Sequence, residues 1–90
     1  MNKDRRKQIK ALATALDALR GQLEDLKSEA ETIRDEEQEY HDNMPESIQM
    51  GEKGDAAQEA ISALEEAVDA LDEAYSQIDQ SIERLGDAEA

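Results

Sequence analysis

Ninety residues without a single cysteine, carrying 24 acidic against 10 basic side chains for a net charge of −14, exclude a good deal before any motif is read. A chain of this length makes one small domain with a modest core, which leaves little room for a large enclosed active site. Disulfides and thiolate metal sites are excluded outright, and the charge argues against direct binding to nucleic acid or an anionic membrane and for solubility, as a solvated helix exterior, or for a basic partner.

The opening MNKDRRKQIK has no apolar core of the kind a secretion signal needs, and no run approaches the roughly 18 apolar residues of a membrane span. The expected setting is cytoplasmic. The charge is unevenly distributed. Lys3, Arg5, Arg6, Lys7, Lys10 and Arg20 stand near the start, ten acids against Lys27 and Arg34 occupy residues 24–46, and from Asp55 onward Arg84 is the one base among eleven acids.

Asn2 is placed to cap a first helix. After it, Ile9, Leu12, Leu16, Leu19, Leu23, Leu26, Ala30, Ile33, Glu37 and Tyr40 recur at alternating spacings of three and four. That is a heptad abcdefg with Ile9 at a and Leu12 at d. No proline interrupts it and Gly21 falls at the outward f position, so the pattern predicts one helix over about residues 3–41.

Met44-Pro45 ends that helix, because the residue before a proline is pushed out of the helical region. A tip follows over about 42–54. In it Pro45 could open a short helical turn through Gln49, stopped by Gly51 in the left-handed conformation. Asp55 with Gln58 resembles a capping box at the start of a second helix, expected over about 55–85. Ala57, Ile61, Leu64, Val68, Leu71, Tyr75, Ile78, Ile82 and Leu85 carry its heptad, with Ile61 at a, and Gly86 is the expected stop. Its acids fill columns e, b and f, whereas columns g and c are mostly alanine, so its apolar face is wider than one partner helix covers.

Flanking charges give the direction of pairing. Arg6, Arg20, Lys27 and Arg34 lie at e on the first helix and Glu65, Asp72 and Asp79 at e on the second, and opposite signs meet if the chain doubles back. The predicted fold is therefore all-α, an antiparallel two-helix coiled-coil hairpin. Pairing positions whose numbers sum to about 94 sets Lys27 near Glu65 and Arg20 near Asp72, with the basic N-terminus beside Glu83, Asp87 and Glu89. A lone hairpin buries its apolar residues only in part. A homodimer is expected, with a second hairpin on the alanine columns of the second helix closing a four-helix bundle, or else a host partner supplying the same surface.

No arrangement of side chains suggests an enzyme. His41 is the sole histidine, and no serine has a general base placed with it. Glu37 and His41 stand four apart, a spacing that can ligate one metal, but carboxylate bundle sites use Glu-x-x-His on two helices and none is present. The tip acids lack the pattern of a calcium loop. No metal and no cofactor are expected.

The candidate partner-binding residues are at the tip. Glu37 sits at an a position, and Tyr40, His41, Asn43, Met44, Ile48 and Met50 gather more aromatic, amide and soft apolar groups than a connector needs. A folded cap closing the hairpin would account for the same residues. The second candidate surface is the acidic face of Glu59, Glu66, Asp69 and Glu73. As an imitation of DNA it would be coarse, since an f column repeats about every 10 Å while DNA advances 3.4 Å per nucleotide.

The run RDEEQEYHDNMPESIQ (Arg34–Gln49), followed by EKGDAAQEAISALEEAVDALDEA (Glu52–Ala74), resembles a widespread, uncharacterised family of small acidic helical-hairpin proteins encoded in bacteriophages and prophages. The resemblance covers roughly residues 34–85 and implies a phage origin, a helical hairpin and the cytoplasm of a host bacterial cell. With the charge, it points to a non-enzymatic protein-binding module, an inhibitor of a host nucleic-acid-binding or defence protein. A structural coiled coil that self-oligomerises is the alternative.

Overall fold

The computed structural model describes Met1–Ala90, and every element in it is helical: α1 (Lys3–Asp42), a single turn α2 (Glu46–Gln49) and α3 (Glu52–Glu89). The heptads are populated by strong helix formers, which explains 40 and 38 residues of continuous helix. Asn2 caps α1 as its position predicts, its side-chain Oδ1 accepting from the backbone N–H of Arg5 at 2.8 Å. No helix is long and apolar enough to cross a membrane.

The segment between the long helices is more economical than the sequence suggests. Pro45, in extended backbone at φ −57° and ψ 148°, accepts from the N–H groups of Ile48 and Gln49 and so starts α2. Gly51 is not left-handed, since no residue has a positive φ. It caps α3 instead, its carbonyl accepting from the Asp55 N–H at 3.0 Å. The second helix thus begins three residues before the expected Asp55, which lies within its first turn rather than in a capping box. Nor does Gly86 stop α3. Nothing lies within 4 Å of a Cβ built there, and an exposed glycine costs only about 1 kcal/mol inside a helix, too little to break one.

The chain forms two compact units: Met1–Asp25 with Leu71–Ala90 (unit 1), and Leu26–Ala70 (unit 2). In both, α3 turns its a and d columns inward as its heptad predicts. The core sits in unit 2, where Ala57, Ile61 and Val68 are 2%, 7% and 7% exposed and Gly54 is also buried.

α1 departs from its heptad. Its a column is half-buried, but so is column e, with Ala13 and Arg20 in unit 1 and Lys27, Arg34 and His41 in unit 2. The d residues Leu12, Leu19, Leu26, Ile33 and Tyr40 are between 44% and 54% exposed. At 100° per residue this is a turn of about 50° about the helix axis from the a/d face. The e residues make it possible, because long basic side chains lay their stems along apolar surface while keeping their charges in water.

The charge pairing in unit 1 corrects the expected register. Arg20 bonds Asp79 rather than Asp72, and Lys10 meets Glu89 at 3.2 Å, so both pairs sum to 99. Column e repeats its acids every seven residues, and Asp79 is the next carboxylate along. Arg20 is also held by Asp17 on its own helix and lies 5.8 Å from the centre of the Tyr75 ring. The bond to Asp79 raises the Arg20 pKa above its ordinary value; partial desolvation opposes this and Asp17 adds to it. In unit 2 Lys27 reaches Glu31 at 3.8 Å along its own helix.

Candidate functional site

The expected tip residues all lie in unit 2; four of them line one surface, His41 lies on another, and Glu37 and Met50 line neither. Tyr40, Asn43, Met44 and Ile48 line one open groove together with Pro45 and Lys53. Two constraints build it. Met44 N–H donates to the His41 carbonyl at 3.1 Å, tightening the end of α1, and α2 then carries Ile48 back beside Tyr40. Tyr40 and Ile48 are 54% and 41% exposed, so the groove, which Lys53 and Asn43 also line, offers apolar surface on which an apolar side chain could pack.

His41 belongs to the second surface. Its side chain is 13% exposed and lies in a cleft with Gln38, Gln58, Ile61, Ser62 and Glu65. Neither ring nitrogen makes a hydrogen bond, the Asp42 carboxylate being 3.6 Å from Nδ1. Glu37 is half-buried on α1 and lines neither surface, and Met50, 78% exposed, stands apart from the groove. No group of three or more His, Asp and Glu side chains is placed to hold a metal ion.

Two residues outside the expected set hold the tip together. Gln49 donates from Nε2 to the His41 carbonyl at 3.0 Å, that carbonyl's second donor beside the Met44 N–H, with the Asp42 carbonyl at 3.5 Å, and so ties α2 to the end of α1. Gly54, in the first turn of α3, lies directly against α2. A Cβ added there would fall 1.8 Å from the Gln49 carbonyl oxygen and 2.4 Å from its carbon, a collision with backbone. Glycine is required by this approach, not by its φ. The sequence signal was a glycine within a few residues of a proline-led turn, which reads equally well as a loop residue.

The acidic candidates follow the columns of α3. Glu59 and Glu66 lie at f in unit 2, lining an open, shallow surface with Asp55, Gln58, Ser62 and Ala63, and Asp69 lies at b in the same unit. Glu73 continues column f in unit 1. All four are exposed, and none takes part in an ion pair. Five of the ten bases pair elsewhere: Lys10 with Glu89, Arg20 with Asp17 and Asp79, Lys27 with Glu31, Arg34 with Asp35, and Arg84 with Asp87. No protein family, curated protein or solved structure matches the chain.

Proposed function

We propose that this chain is a phage-encoded, non-enzymatic antiparallel helical hairpin that works by binding protein in the cytoplasm of a host bacterium. It inhibits a basic host protein, of the nucleic-acid-binding or defence kind, by presenting the outer columns of α3. What supports this reading is the uncompensated charge: Glu59, Glu66, Asp69 and Glu73 are exposed and outside every ion pair, and the bases that do form ion pairs form them with other acids. Carboxylates left without counter-charge attract a basic surface over about 8–10 Å at moderate salt. The tip groove of Tyr40, Met44 and Ile48 would add apolar contact to such an encounter.

The test is capture from host lysate at low and high salt, with a variant carrying Glu66→Gln, Asp69→Asn and Glu73→Gln beside the wild type. A basic protein held by the wild type at low salt, and lost both in the variant and at high salt, is the expected result. Retention in both would sink the acidic-face reading and shift attention to the groove. The second reading, a coiled coil that assembles with itself, is favoured by a separate observation, the exposed d column of α1.

A further inference from the structure

We infer that unit 1 carries a self-docking face, on which a second copy of this chain seats through column d of α1. This rests on the self-assembly reading above and names the surface that would carry it.

The surface exists because α1 packs through a and e. Leu12 and Leu19 are thereby left 51% and 44% exposed. On the helical wheel their column is followed by g and then c, which between Gln8 and Gln22 hold Ala11, Ala15 and Ala18 with the two glutamines. All five are exposed and none is charged. On the α3 side, an open groove joins Leu12 and Leu16 to Gln77, Ser81 and Leu85, and its sole charged residue is Arg84.

Charge selects the occupant. A chain of net charge −14 repels its own copies wherever carboxylates stand, and the acids of unit 1 over this span, Asp17, Asp72 and Asp79 among them, lie on other columns. Between Gln8 and Gln22 the d, g and c columns of α1 form a stretch on which two copies can meet without opposing like charges. A basic partner, by contrast, is drawn to the acid columns and gains no charge attraction here. The face also complements itself. Leucines alternate with alanines along it, so about a two-fold axis the leucines of one copy meet the alanine columns of the other, and each copy supplies both halves of the fit. Two such faces also place opposite signs on the salt response, since self-association strengthens as repulsion is screened whereas acid-to-base capture weakens.

Sedimentation equilibrium of the full chain decides the matter. The wild type is expected to reach twice 10.0 kDa as its concentration rises toward about 1 mM, and to associate more tightly at about 0.5 M than at about 0.05 M salt. Leu12→Glu with Leu19→Glu should raise the dissociation constant by about 100-fold or more while leaving the helical circular dichroism in place, since neither leucine is buried. Ala15→Glu with Ala18→Glu, which touches no large apolar group, should do the same, and Ile33→Glu, in unit 2, should dimerise like the wild type. A wild type that stays at 10.0 kDa throughout overturns self-assembly and this face together. A wild-type dimer that the Ala15 and Ala18 pair leaves intact overturns the face alone.

Discussion

The two units draw on the same heptads yet hold themselves together differently. Unit 2 contains every buried residue of the chain, Gly54, Ala57, Ile61 and Val68, all from α3. Unit 1 contains none; its apolar side chains are half-buried at best, and its organisation centres on Arg20, clasped by Asp17 and Asp79 over the ring of Tyr75. The deepest positions include Gly54, which lies directly against Gln49 of α2, and Ala57, the least exposed of the apolar core at 2%.

The sharpest way to break this comparison is to make one substitution in both units. Ile61 and Ile82 share column a of α3, one buried and one half-buried. Ile61→Ala should cost about 2–4 kcal/mol in urea unfolding and Ile82→Ala about 1 kcal/mol; equal losses would mean that unit 2 holds no special core. Gly54→Ala comes next, with an expected loss of about 1–3 kcal/mol as α2 is forced off α3. Amide exchange should then quicken around Gln49 and the end of α1 more than in unit 1. The smallest effect belongs to Arg20→Gln, which removes an exposed clasp. A slight fall in melting temperature that vanishes at high salt is expected, and a fall as large as that of Ile61→Ala would make unit 1 the anchor instead.

Much of this fold is legible in the sequence, and what is not fails for identifiable reasons. The extent of α1, the cap at Asn2 and the break at Met44-Pro45 follow from local chemistry that nothing distant overrides. The face α1 turns inward does not. A heptad marks which columns are apolar, but Arg20, Lys27 and Arg34 at e carry aliphatic stems that cover a core as well as charges that seek water, and binary patterning counts them as polar. The register is hidden by the repeat itself, since Asp72 and Asp79 are equivalent in sequence and differ only in which lies beside Arg20. At the tip, grouping Tyr40, Met44 and Ile48 needed only their character and proximity. Separating His41 and Met50 from them needed the path of α2, which depends on Gly54 having no side chain.

The close approach at Gly54 has a kinetic side. The bond from Gln49 to His41 closes a loop of eight residues, while that from Arg20 to Asp79 closes one of 59. Loop entropy grows by roughly 0.6 kcal/mol for each doubling of length, so the distant clasp starts at a disadvantage of about 1.8 kcal/mol. Once the tip has formed, the remaining pairs are reached by zipping and that penalty disappears. A side chain at position 54 would therefore act on the order of events as well as on the final packing, delaying the one short-range step that makes the long-range steps inexpensive.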